Sequence, residues 1–194
     1  MEQGAGSTAQ ARQGTGIGTK ICRVRETYPT DKIGIEHQVK LLIISVGRKM
    51  PDWITTGFNE YTKRMPREAQ ISLLEIKPEP RSTGKTTVQI MEAEAQRILA
   101  ALPQHCLRIA LDERGAATTT KQLAAQMQDW MRAGRDVAFI IGGADGLHES
   151  VKQAAQQQLA LSTFTLPHAL VRVLLAEQLY RAHSLMHNHP YHRE

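Results

Sequence analysis

The segment Asp136-Val-Ala-Phe-Ile-Ile-Gly-Gly-Ala-Asp-Gly146 runs an unbroken apolar stretch, Val137–Ile141, straight into paired glycines. The stretch is too short for a helix and is apolar at odd and even positions alike. That is the pattern of a strand buried on both faces, as in the middle of a parallel sheet. Its flanks agree. Before it, residues 119–131 place Leu123, Ala124, Met127, Trp130 and Met131 on one face of a helix, and Gly134 offers the left-handed residue that closes such a helix. After it, residues 149–157 read as a second helix. A buried strand between two helices is the repeating unit of an α/β sheet.

The same unit recurs outward in both directions. Strands are expected at 40–46 (KLLIISV), 70–76 (QISLLEI), 106–111 (CLRIAL), 136–141 and 159–162. Helices are expected at 52–63 behind Pro51, at 87–102 before Pro103, at 119–131, at 149–157 and at 169–187. Residues 77–85 carry two prolines and a glycine and read as a loop, and 112–115 as a turn. The alternation predicts an α/β fold, a mostly parallel sheet covered by helices on both faces. Residues 1–38 break the pattern. The first 20 are rich in Gly, Ala, Gln and Thr and hold almost no large apolar side chain, so they cannot bury enough surface to offset the entropy of ordering. This segment is expected to be a disordered or non-native extension, with one folded domain over 39–194.

Composition narrows the classes. The chain has 194 residues, is 41% hydrophobic and 22% charged, and has a mean hydropathy of −0.35. No apolar run approaches the ~20 residues of a membrane span. The first 30 residues hold no apolar block of the kind a secretory signal needs. Cys22 and Cys106 have no metal-ligand spacing and build no disulfide framework. A reduced, cytoplasmic protein without a metal or a membrane partner is expected. The net charge of +5 permits a polyanionic partner without demanding one. Aromatics at 5% argue against a base-stacking platform.

In open α/β sheets ligands bind beyond the carboxyl ends of the strands. Three such ends stand out: Leu111-Asp112, Ile141-Gly142-Gly143, and the run Leu161-Ser162-Thr163-Phe164-Thr165-Leu166 before Pro167. Gly142, Gly143 and Gly146 allow backbone to approach a ligand closely, and they equally allow a tight turn with none. Neither a G-x-G-x-x-G fingerprint nor a Walker P-loop is present. That counts against a nucleotide-binding oxidoreductase. The hydroxyls of the third end can bind polar groups of a cofactor, or Thr165 or His168 can simply cap the last helix. That helix is apolar nearly all round, more than one buried face requires, which argues for burial on two sides. Within it Arg172 needs an anion or carbonyl partner, and Glu177 and Arg181 are spaced to pair. The tail His187-Asn-His-Pro-Tyr-His-Arg-Glu194 is unusual for a chain end, although by composition a frayed tail accounts for it.

The segments KLLIISVGRKMPDW, GRDVAFIIGGADGL, LSTFTLPHALVRVLLAEQLYRA and NHPYHRE together resemble one family over residues 40–194. It is the RlmH family, the bacterial 23S rRNA pseudouridine N3-methyltransferases of the SPOUT class. The resemblance implies what periodicity does not. It implies a C-terminal trefoil knot, a rare exception to unknotted topology. It implies S-adenosylmethionine bound by Leu111, Gly142 and Gly143 and by Leu161, Ser162, Thr163, Phe164, Thr165 and Leu166, which are the three strand ends already singled out. It implies a homodimer across the last helix, with the terminal tail completing the site near the partner's cofactor, and 23S rRNA within the ribosome, not DNA, as the macromolecular partner. The expected reaction is attack of the pseudouridine N3 on the sulfonium methyl, at position 1915 by family pattern. Arg172 and Arg193 are the candidate electrostatic or phosphate contacts, His168 or His192 the candidate base, and Tyr191 the residue expected to position or stack on the base. The rivals are a non-catalytic assembly factor of the same fold and a SPOUT methyltransferase for another RNA.

Residues 1–38 have no counterpart in that family, and Val39 stands where the family begins. Because valine-type codons can start bacterial genes, an over-long gene start is expected, against a genuine or added extension. N-terminal sequencing of the native protein checks this: an N-terminus upstream of residue 39 refutes it.

Overall fold

The computed structural model describes residues 38–192 other than 82 and 83, with the backbone alone for His192. Apart from Gln38, the expected N-terminal extension lies outside the described residues. The strands are β1 (Leu41–Val46), β2 (Ile71–Ile76), β3 (Leu107–Ala117), β4 (Val137–Ile141) and β5 (Gln157–Ala160). The helices are α1 (Asp52–Thr62), α2 (Thr87–Ala101), α3 (Thr120–Ala133), α4 (Glu149–Ala154) and α5 (His168–Met186), with short 3-10 turns at Arg67–Ala69 and Pro190–His192. All strands pair in parallel, in the order β2-β1-β4-β3-β5.

The sheet alternates its side chains between two cores. Leu41 and Ile43 of β1 and Val137, Phe139 and Ile141 of β4 face one side, where Phe58 of α1, Leu123, Met127 and Trp130 of α3, and Leu175 and Leu179 of α5 close over them. Ile44, Val46 and Ile140 face the other side, against Ala95 and Ile98 of α2 and Val151 of α4. β4 is buried throughout, as its unbroken apolar run predicts. Thr86 and Thr119 each form a reciprocal capping box, with Gln89 and Gln122, and Gly134 ends α3 in the left-handed conformation at φ 59°. The expected α/β architecture is therefore present.

Three local readings are corrected. β5 spans 157–160, two residues before its expected place. Its first half is Gln157-Gln158, so the polar sequence hid a strand held by its neighbour. α4 ends at Ala154 instead of running to 157. The turn expected at 112–115 is an excursion inside β3: Leu111 and Ala116 both pair with Leu159, and the residues between them loop out of the ladder. Gly115 lies so close to β5 that a Cβ there would sit 2.6 Å from the Leu159 backbone.

At the end of α5, His183 stacks on His187 with ring centroids 4.2 Å apart, and its Nε2 is buried without a hydrogen-bond partner among the described residues. Burial, reinforced by the neighbouring His187, pushes its pKa down to about 4. An unfolded chain protonates this ring near pH 6.5. Between about pH 6.5 and 4 the unfolded state therefore binds a proton that the folded state refuses, and stability falls as pH falls through that window. Thermal melting of His183→Asn should show a shallower loss across the same range than the parent, and parallel slopes would refute the assignment.

Candidate active site

A cleft of about 810 Å³ opens where β3, β4 and β5 end. Its apolar surface comes from Met91, Leu111, Ile141, Leu147, Leu159, Leu161, Leu166 and Val171. Its polar groups are Asp112, Glu113, Arg114, Asp145, Lys152, Ser162, Thr165 and His168. Volume and mixture match those of a small-molecule site. Of the nine residues expected to hold a cofactor, Leu111, Gly142, Gly143, Leu161, Ser162, Phe164, Thr165 and Leu166 line this cleft, and Thr163 is not among the lining residues.

The glycines are used for close approach. A Cβ on Gly142 would lie 2.5 Å from the carbonyl carbon and oxygen of Gly146 and 2.9 Å from the Leu147 nitrogen. The loop folds back on itself there, with the Gly146 N–H donating to the Gly143 carbonyl at 3.1 Å. Gly146 itself sits at φ 85°, a conformation that side chains resist. Behind Gly143 stand Val46 and the buried Glu94 of α2, whose Oε1 accepts the Glu79 N–H at 3.0 Å.

Salt links brace the rim. Lys152 pairs with Asp112. Burial alone would raise the Asp112 carboxyl, but Lys152 and the Arg114 N–H, 2.9 Å from Oδ1, hold it below the ordinary carboxylate range. Arg81 pairs with Asp145 at 2.5 Å. The Thr165 hydroxyl donates to Glu113 Oε2 at 3.1 Å. Thr165 therefore ties the excursion in β3 to the β5–α5 segment. Neither it nor His168 makes a side-chain cap on α5, whose cap position is Pro167.

His168 opens α5 on the wall of the cleft. Burial, helped by the Arg172 guanidinium, lowers its pKa below the usual imidazole value. Arg172 itself is only 1% exposed. Its Nε donates to Ser45 Oγ at 2.9 Å, Nη1 to Glu75 at 2.6 Å, and Nη2 to the carbonyls of Gly47 at 2.9 Å and Val46 at 3.3 Å. The anion and carbonyl partners its sequence context demanded are all present. The side chain is thus enclosed by its own protein partners, which argues against the phosphate contact expected at Arg172.

The sequence that builds this cleft, glycine loop and β5–α5 segment matches a known family. The family model described as a predicted SPOUT methyltransferase matches residues 39–192. The chain belongs to the SPOUT methyltransferase family. Its relatives include proteins named ribosomal RNA large subunit methyltransferase H. The one from Nitrosomonas eutropha is 60% identical, that from Nitrosospira multiformis 58% and that from Bordetella petrii 54%, each over 155 residues that cover 80% of this chain and 99% of the relative.

In this SPOUT chain none of residues 187–191 of the tail lines the cleft. Tyr191 packs edge-on against Tyr180, with ring centroids 4.8 Å apart, under the Arg181 guanidinium at 4.9 Å, and its hydroxyl donates to Glu177 at 3.1 Å. Burial first, then Tyr61 and Glu177, raise its pKa, so the phenol keeps its proton. The expected Glu177–Arg181 pair is formed at 2.6 Å. Arg193 and the His192 side chain lie outside the described residues. The sequence reading missed Met91, Glu113 and Lys152 as cleft residues. Only the position of Glu113 just beyond a strand end could have marked it; Lys152 reaches Asp112 from another element, and no local pattern announces that. Among the described residues no helix is long and apolar enough to cross a membrane, and no cluster can hold a metal ion.

Proposed function

We propose that this protein methylates the N3 of a pseudouridine, at position 1915 by family pattern, in 23S rRNA of the assembled ribosome, using S-adenosylmethionine, as a knotted cytoplasmic homodimer. The observation that supports this most is the coincidence of the cleft with the segments the family uses for its cofactor, in a chain 60% identical to a large-subunit rRNA methyltransferase. The cleft suits that cofactor chemically. Leu111, Ile141, Leu161 and Leu166 offer apolar walls to a flat base, the glycine loop lets backbone form part of the wall, and carboxylates among the lining residues suit a cationic ligand.

When bound, the cofactor supplies an electrophilic methyl group on a cationic sulfur. The residues of this chain do the rest. The N3 position of the substrate carries a proton that must leave. His168 is kept neutral by burial and by Arg172, so its imidazole can accept that proton near neutral pH. Arg172 acts here by fixing the β1 end and the first turn of α5 around His168, since each of its nitrogens already has a partner. Tyr191, held as a neutral phenol, can stack or donate but cannot serve as a base. The tail is assigned to the partner's site, where Tyr191, His192 and Arg193 would meet the RNA.

The test offers labelled S-adenosylmethionine with intact ribosomes lacking the methyl group, separated large subunits, or bare rRNA. Label on one pseudouridine, with intact ribosomes preferred, is the expected result. Cofactor binding without transfer to any of them would replace the enzyme with a non-catalytic assembly factor or move it to another RNA. With His168 as base, the rate should hold as pH falls from 8 to 7 and decline only below the ordinary imidazole range. His168→Ala should abolish that decline along with most of the rate, and an unchanged acid limb would exclude His168.

A further inference from the structure

Three carboxylates line the cleft: Asp112, Glu113 and Asp145. Two of them are answered by cations, Asp112 by Lys152 and Asp145 by Arg81. Glu113 is the exception. Among the described residues its carboxylate meets no Lys or Arg, and its recorded partner is the uncharged Thr165 hydroxyl at 3.1 Å. That hydrogen bond pins the carboxylate between the excursion in β3 and the β5–α5 segment, two of the three segments that enclose the cleft. Glu113 and Thr165 are both exposed at the mouth of the cleft, so this carboxylate stands in water without a cation of its own and is free to face a cation brought by the ligand.

The proposed chemistry says which cation changes. Methyl transfer to a ring nitrogen breaks the sulfur–methyl bond, forms the nitrogen–methyl bond and releases the nitrogen's proton. The sulfur keeps the bonding electron pair and leaves as a neutral thioether. Reactant and product share an ammonium, a carboxylate and a nucleoside, so shape offers little to tell them apart. Charge at sulfur does.

We propose that Glu113 is a specificity-determining residue of this cleft: its carboxylate, pinned by Thr165, favours the cationic sulfonium reactant over the neutral thioether product and so limits product inhibition. This rests on the reading of the cleft as a methyl-donor site. It assigns Glu113 a part in ligand exchange, separate from the proton transfer assigned to His168.

The test is calorimetric binding of S-adenosylmethionine and S-adenosylhomocysteine, without RNA, to the full chain, to Glu113→Gln and to Thr165→Val. Glu113→Gln keeps an acceptor for Thr165 and removes only the charge. It should shrink the preference for the sulfonium about tenfold, the scale of one partly shielded charge pair, by weakening the reactant more than the product. Because Glu113 is exposed, the melting temperature of the free variant should not move. Thr165→Val keeps the charge but frees the carboxylate, so the preference should fall less, and it should shrink further with added salt. Equal weakening of both ligands by Glu113→Gln would place the carboxylate on the shared ammonium and overturn the proposal, as would no weakening of either. If the parent protein binds neither ligand, the methyl-donor reading itself fails, and that result is distinct from any ratio measured on a protein that binds both.

Discussion

Gly142→Ala should cost this protein about 2–4 kcal/mol of stability and, on the proposed function, nearly all binding of S-adenosylmethionine. The reason is geometric. The added methyl carbon would stand 2.5 Å from both the carbonyl carbon and oxygen of Gly146, and 2.9 Å from the Leu147 nitrogen. Those are backbone atoms, so no side chain can swing away to make room. The loop has to open, and the Gly146 N–H to Gly143 carbonyl bond at 3.1 Å is the link that gives first. A penalty of about 2.8 kcal/mol confined to the binding-competent loop corresponds to roughly a hundredfold loss in affinity. Gly146→Ala is the internal comparison. Its methyl would enter open space but at φ 85°, so it should cost only about 1 kcal/mol. Melting curves and cofactor titrations of the two variants should rank them in that order. Parent-like binding by Gly142→Ala would show that the loop rearranges freely and that the close approach has no bearing on the site.

The same loop shows what the sequence could and could not convey. A strand emptying into Gly142-Gly143 was legible because burial of β4 on both faces leaves an apolar run that no other element mimics. That the run ends at a cleft was not legible from the glycines, which serve a tight turn as well. Only the fold brings Leu111, the glycine loop and the β5–α5 segment to one cleft. β5 was misplaced because Gln157 and Gln158 owe their strand conformation to pairing with Ile109 and Ala110, far away in the chain. The ion pairs of the rim were invisible for a related reason. Asp112 with Lys152 and Arg81 with Asp145 join residues on different elements, and only the topology β2-β1-β4-β3-β5 brings those elements together. Thr165 is the instructive case: its position before a helix left a cap or a ligand contact open, and its hydroxyl serves Glu113 instead of capping α5.

Arg172→Met should destabilise the fold by about 3–5 kcal/mol, more than removal of any other single charged side chain described above. An arginine 1% exposed is tolerable only because each nitrogen of its guanidinium has a partner. Methionine fills much of the volume but donates nothing. Ser45, fully buried, loses its donor, and so do the carbonyls of Val46 and Gly47, while Glu75 loses its cation. Glu75 is 37% exposed and can turn toward water, which places the cost nearer the lower end. For the same reason Glu75→Gln should cost no more than about 1 kcal/mol. Arg172→Lys, with one charged head and no fork, can satisfy part of the set and should fall between the two. Urea denaturation of the three variants measures these differences directly. The alternative role, a phosphate contact for RNA, predicts the reverse pattern: Arg172→Met as stable as the parent, with ribosome binding weakened and its salt dependence reduced. The geometry of β1 favours the first outcome. The end of this strand carries Gly47 at φ 119° beside both Arg172 and His168, so the arginine that secures the strand end also sets where the proposed base stands. Methyl transfer by the fraction of Arg172→Lys that remains folded should therefore fall as well, with its acid limb displaced because the charge next to His168 has moved. A folded Arg172→Lys with the parent's pH profile would separate the two tasks and leave Arg172 with the structural one alone.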